Sequence, residues 1–249
     1  MKKSLSLIVG IQALVSSPAS AVLVLVAGWD AFDVVANPTA THLASDTAAT
    51  LTSTATGGGW DDWSNTGGDG SSVDGTFGSL SPTVAAASTV GTSGANQGRN
   101  LSLNRSRKPG TLTITLTNTS GLDRTMDGFY FDSVGRFADS AKEWALTFGG
   151  AISGTAASGT LAQTNLDTAS AAQRDKFVDL SSLSDNVWEA GQDAIFTLTF
   201  GPGPATSLTG GGAETVVDNI GITANVVPEP SSFSLVGLGV LGLLLRRRK

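Results

Sequence analysis

The stretch Thr111-Leu112-Thr113-Ile114-Thr115-Leu116-Thr117-Asn118 constrains this chain more than any other. Leucine and isoleucine alternate strictly with threonine. A period of two places Leu112, Ile114 and Leu116 on one face of a strand and the threonines on the other. β-Branched threonine suits a pleated, half-wet surface and loses rotamer freedom in a helix. The pattern recurs in Trp144–Phe148 (WALTF) and Ala194–Phe200 (AIFTLTF). Asp127–Asp132 (DGFYFD) puts Phe129 and Phe131 on one face, and Ile220, Ile222, Ala224 and Val226 give a last strand. Val22–Val26 is read as the first.

No internal stretch sustains an apolar period of 3.6 residues. One short helix is expected over Leu166–Lys176 (LDTASAAQRDK), capped by Asp167 or Thr168. Turn clusters separate the apolar runs: Gly57-Gly58-Gly59, Asn65–Gly70, Gly149-Gly150, Gly201-Pro202-Gly203-Pro204 and Gly210-Gly211-Gly212. Ten to thirteen short strands divided in this way predict an all-β chain, an antiparallel β-sandwich of jelly-roll-like form.

Both ends differ from this pattern. Lys2 and Lys3 precede an apolar run at Leu5–Val15, Pro18 breaks it, and Ala19-Ser20-Ala21 supplies small residues. Residues 1–21 therefore read as a signal peptide cleaved after Ala21. At the other end, Pro228-Glu229-Pro230 is a stiff extended tripeptide, because each proline fixes φ and restrains the residue before it. Ser231–Leu245 is uncharged, 15 residues and ~22 Å as a helix, short against the ~20 residues of an ordinary span. Arg246, Arg247, Arg248 and Lys249 follow, and cations at one end keep that end cytoplasmic. The expected organisation is a signal peptide over 1–21, a β-sandwich over 22–226, and a sorting segment with a hydrophobic helix over 227–249.

The sorting segment resembles the PEP-CTERM signal of Gram-negative bacteria. Val227, Pro228, Glu229, Pro230 and Ser231 match its VPEPS core, and the apolar run and basic cluster match as well. The resemblance implies recognition by exosortase, a membrane protease that cuts near the motif. The chain would be held in the inner membrane by its tail, then passed to the cell surface or the exopolysaccharide matrix. The body resembles a β-sandwich type that precedes such tails, on GTLTITLTN, DGFYFDSV, DLSSL, AGQDAIFTLTFGPG and VVDNIGITANVVPEPSS. The step Asp218-Asn219-Ile220 is similar to one in jelly-roll carbohydrate-binding modules.

Charge and composition exclude several functions. Val22–Val226 holds nine Lys/Arg against twenty Asp/Glu, net −11, a surface that repels nucleic acid and anionic membrane. It suits divalent cations or neutral glycans. There is no cysteine, hence no disulfide and no thiol chemistry. His42 is the only histidine and sits in a loop-like TATHLAS, which reads as a surface residue rather than a catalytic base or zinc ligand. Glycoside hydrolysis needs two carboxylates about 5–10 Å apart, and no spacing singles out a pair.

One internal stretch carries chemistry: Trp60–Gly75 (WDDWSNTGGDGSSVDG). Read as a loop, it offers Asp61, Asp62, Asp69 and Asp74 as oxygen ligands for calcium. Trp60 or Trp63 would stack on a sugar face. The competing reading is a turn without metal and two core tryptophans. No other cofactor is implied. Three functions remain, in descending order: a sorted surface or matrix protein without catalysis of its own, a carbohydrate-binding module on exopolysaccharide, and a secreted glycan-active enzyme.

Overall fold

A computed structural model describes residues 21–30, 32, 38–55, 59–64, 77, 79–80, 99–104, 110–201 and 214–226. All of the expected signal peptide except Ala21, and the hydrophobic tail, lie outside them. Leu23–Val226 forms one compact unit.

Among the described residues, thirteen strands follow in chain order: β1 Val22–Trp29, β2 His42–Leu43, β3 Thr47–Ala55, β4 Gly59–Ser64, β5 Arg99–Asn104, β6 Gly110–Asn118, β7 Arg124–Gly135, β8 Glu143–Gly150, β9 Ala157–Thr160, β10 Asp175–Asp179, β11 Val187–Trp188, β12 Asp193–Phe200 and β13 Glu214–Val226. One helical turn, α1 Ala171–Arg174, precedes β10. The first sheet runs β10-β7-β13-β1-β2, with β11 on β7, β5 on β13 and β4 on β5. The second runs β3-β6-β12-β8-β9. The registered strand pairs are antiparallel. Successive strands pass repeatedly from one sheet to the other, as in a jelly roll.

The alternating runs explain the sandwich. Leu112, Ile114 and Leu116 of β6 and Ala194, Phe196 and Leu198 of β12 are fully buried. They face Phe129 and Phe131 of β7. Phe129 and Phe196 approach to 5.4 Å between ring centroids, and Phe131 meets Trp144 edge to face at 5.2 Å. Such ring pairs add about 0.5–1.5 kcal/mol to the area they bury.

The opposite face of the second sheet is built of threonine. Register places Thr52, Thr113, Thr197 and Thr147 in one cross-strand row, and Thr54, Thr111 and Thr199 in the next. This face is wet, so β-branched hydroxyls satisfy strand preference without a second core.

The first sheet also carries apolar cover on its far side. Phe77 and Leu80 pack there with Leu25 and Tyr130, and Leu166 and Ala169 pack with Val134 and Val216. That explains why β13 buries eleven consecutive residues rather than alternating.

Three sequence expectations are corrected. The helix is one turn, and its cap is Ser170, not Asp167 or Thr168: Gln173 Oε1 accepts from the Ser170 N–H (3.0 Å) and hydroxyl (2.9 Å). Lys176 belongs to β10. Gly149 and Gly150 end β8 rather than forming the turn, Gly150 with φ +70° and its would-be Cβ 2.1 Å from the Asp193 carbonyl oxygen.

Candidate functional site

Strand β13 carries the chain to the sorting motif. It pairs with β7 from Thr215 to Asn225 and with β5 from Glu214 to Val217, and β1 lies beside it in the sheet. Glu214 fixes its start: one carboxylate oxygen accepts from Ser102 Oγ (2.9 Å), the other from Arg136 (3.0 Å). The strand ends at Val226, and Val227, Pro228, Glu229, Pro230 and Ser231 follow directly. These five residues lie outside the described residues. So do Ala19 of the cleavage site and the basic cluster Arg246–Lys249, whereas Ala21 is the first described position, just before β1.

The tryptophan and aspartate stretch is not a single loop. Trp60, Asp61, Asp62 and Trp63 belong to β4, paired residue for residue with Leu103, Ser102, Leu101 and Asn100 of β5. Backbone pairing explains the correction: the cross-strand ladder satisfies amides that a loop would leave to water or metal. Asp69 and Asp74 lie outside the described residues. Among the described residues, no group of three or more His, Asp or Glu is arranged to hold a metal ion.

His42 is also corrected. It lies in β2 opposite Gly28, half-buried, with Nε2 3.1 Å from the Leu25 carbonyl oxygen. A carbonyl can only accept, so Nε2 carries the proton and the ring staples β2 to β1.

The Asp218-Asn219 step has a structural role. A register shift in the β13–β7 ladder falls between Asp218 and Gly221, and Asn219 takes the left-handed φ of 47°. Asparagine tolerates that conformation better than most residues. Its side-chain amide donates to Asp132 Oδ2 at 3.0 Å, deep in the sheet. Asp175, Asp132 and Asp218 stand in one cross-strand row. Arg174 Nε lies 3.1 Å from Asp175 Oδ1. Burial pulls the Lys176 ammonium below its usual pKa, and the carboxylates of Asp175 and Asp132 oppose that shift.

Sequence reasoning missed a cavity of about 310 Å³ where the edges of the two sheets meet. Phe148 and Val178 supply apolar walls, and Asp179, Ser182 and Ser184 bring polar groups. Phe148 rests edge-on against Phe196, at 6.3 Å between centroids. Asp179 Oδ1 accepts from the Ser181 N–H (2.9 Å) and hydroxyl (2.6 Å), which fixes the carboxylate. Ser182 Oγ donates to the Asp179 carbonyl (2.9 Å), and Ser184 Oγ donates to the Ser153 carbonyl (3.0 Å). The signal in sequence was faint: Asp-Leu-Ser-Ser-Leu-Ser-Asp reads as an ordinary polar turn.

The fold defines an all-β protein of the antiparallel sandwich class. Within it, residues 226–249 match the PEP-CTERM protein-sorting motif, so the chain carries that sorting signal. No curated protein matches the chain. Similar solved structures include TmCBM61 in complex with β-1,4-galactotriose, at 12% identity over 50% of this chain and 70% of that one, TM-score 0.32. A family 32 carbohydrate-binding module from C. perfringens NanJ in complex with galactose aligns at 14% identity over 72% and 94%, TM-score 0.28. A family 11 module from Clostridium thermocellum, in complex with a β-1,3-1,4-mixed-linked tetrasaccharide, aligns at 9% identity over 79% and 95%, TM-score 0.30. At these TM-scores the likeness says nothing of what this chain binds.

Proposed function

We propose that this chain is an exported protein sorted through its tail, with a sandwich body that performs no catalysis of its own. An exosortase-like protease reads Val227–Ser231 while Ser231–Leu245 sits in the inner membrane with Arg246–Lys249 on the cytoplasmic side. Cleavage near the motif then frees the body to the cell surface or the extracellular polysaccharide. The observation that carries this reading is the match at 226–249, which begins at the final residue of β13. Intact masses of the native protein from membrane and secreted fractions test it. A secreted form beginning at Val22 and ending near Pro228–Ser231 is expected. A chain ending at Lys249, found only in membrane, would overturn it.

A second reading concerns what the body does on arrival: it holds a neutral glycan of the matrix. The edge cavity favours it, because its walls combine apolar surface with hydrogen-bonding groups and, among the described residues, include no cation. Retention on a panel of neutral polysaccharides tests this reading, and a body that no glycan retains would remove it.

A further inference from the structure

We propose that the edge cavity between β8, β10 and the 180–186 segment takes one neutral pyranose unit, which it recognises through that sugar's hydroxyl protons. The proposal rests on the glycan reading above and names its site.

A hydroxyl has one proton to donate and two lone pairs to accept with. Ser182 donates its proton to the Asp179 carbonyl, and Ser184 donates its proton to the Ser153 carbonyl. Each is thereby left to act toward the cavity as an acceptor. Asp179 is a carboxylate and accepts only. Thr155 adds a lining hydroxyl that can donate or accept. Acceptors therefore outnumber donors around the cavity, which suits a ligand rich in donors.

Charge narrows the class. Among the described residues, no lysine, arginine or histidine lines the cavity. A uronate, sulfate or phosphate would bring a second negative charge against Asp179 with nothing to offset it. An ammonium ion carries donors too, but they converge on one nitrogen and would engage Asp179 alone. A polyol spreads its donors over several carbons and can meet three acceptors on three residues. The apolar face of a pyranose also matches the walls formed by Phe148 and Val178.

Size and stiffness agree. About 310 Å³ lies at the small end of ligand sites, room for a ring or two and not for a chain threading through. The walls are already set. Ser153 and Asp185 exchange backbone hydrogen bonds of 2.9 and 3.0 Å. Gly154 packs so closely on Leu183 that a Cβ there would stand 2.6 Å from Leu183 Cδ2. A preformed site spends little affinity on ordering itself.

The test uses the full chain in a detergent without sugar headgroups, observed by saturation-transfer NMR. The probes are D-glucose, D-galactose, D-mannose and methylammonium. Ring-proton saturation of at least one sugar is expected. Ser182→Trp, which puts an indole on the cavity lining, should abolish it. Asp179→Asn keeps an acceptor for Ser181 and should weaken binding about tenfold, the effect of losing a charged acceptor. An unchanged melting temperature shows that each variant is folded. No saturation of any sugar, saturation that survives Ser182→Trp, or binding of methylammonium alone would each overturn the proposal.

A parallel arm uses soluble neutral polysaccharide. Retention lost in Ser182→Trp supports the proposal and identifies the source as a polymer end; monosaccharide saturation without retention supports it for a free sugar. Retention unaffected by Ser182→Trp sinks this site and leaves the glycan reading standing. Neither retention nor saturation sinks both.

Discussion

Phe77 Cβ occupies the place where a side chain on Gly221 would have to go: a Cβ built on Gly221 would stand 2.7 Å from it. Gly28 has the same neighbour by a different atom, 2.7 Å from Phe77 Cζ. Glycines on β13 and β1 thus open a seat on the outer side of the first sheet, and one phenylalanine fills it. Gly221→Ala is expected to cost about 1–3 kcal/mol, the usual penalty for overpacking. It should lower the denaturant midpoint without changing the slope. The two glycines should separate in a Phe77→Ala background. Gly28→Ala becomes tolerable there because the ring is gone, whereas Gly221→Ala still meets the retained Cβ. Equal rescue of both would contradict this packing.

Arg124 at the start of β7 is buried and pairs with Asp46, while also donating to Thr47 Oγ1 at 3.3 Å and lying 5.9 Å over the Trp188 ring. It ties the two sheets together at the β3 end. Arg124→Met should cost about 1–3 kcal/mol, reduced from a fully buried pair because Asp46 is half in water. Asp46→Ala in that background should then add little, which a double-mutant cycle measures. Full additivity would mean that the pair carries no coupling.

The Tyr130 phenol, stacked 4.9 Å from the Phe177 ring, has its pKa raised above 10.0, first by burial and then by the charge of Asp127. The folded chain therefore holds a proton that the unfolded chain releases in the window just above pH 10. Stability contributed by this group is full below that pH and is lost as pH rises through the window. Lys176 acts oppositely. Its pKa is lowered from 10.5, so the folded chain gives up that proton first and stability gains as pH rises toward the unfolded value. Melting temperature followed from pH 9 to 12 should fall less steeply in Tyr130→Phe than in the parent. Identical slopes would show that the phenol titrates as it does in water.

Replacing Arg246, Arg247, Arg248 and Lys249 by serine should send protein out of the membrane fraction while leaving the melting temperature of the body unchanged. The body, Leu23–Val226, is a compact unit that does not include them. Fractionation together with a thermal melt reads both. A body that melts lower would mean that the tail contributes to its fold.

The strands with large alternating side chains were legible in the sequence. Leu112, Ile114 and Leu116 face the core and their threonines face water, as the period of two requires. β3 was harder, since Leu51 is its only large apolar residue. β4 reads as a loop because Asp61 and Asp62 are poor strand formers, and pairing with β5 overrides that preference. α1 was misjudged at its start, although Ser170 and Gln173 stand at capping-box spacing. The cavity was illegible for a different reason. Phe148 and Asp179 are 31 positions apart and meet only because the edges of two sheets meet, a relation no local window contains.

β13 is the last strand made, yet it stands inside the first sheet between β7 on one side and β5 and β1 on the other. A polypeptide delivered from its amino end therefore cannot complete that sheet until its final thirteen body residues, Glu214–Val226, have arrived. Every partner made earlier waits with an open edge, and closing so many distant pairings is slow. A chain that stops short of Glu214 has no surrogate for the missing strand. Completion of the first sheet therefore waits on translation through Val226, the residue at which the match to the sorting motif begins.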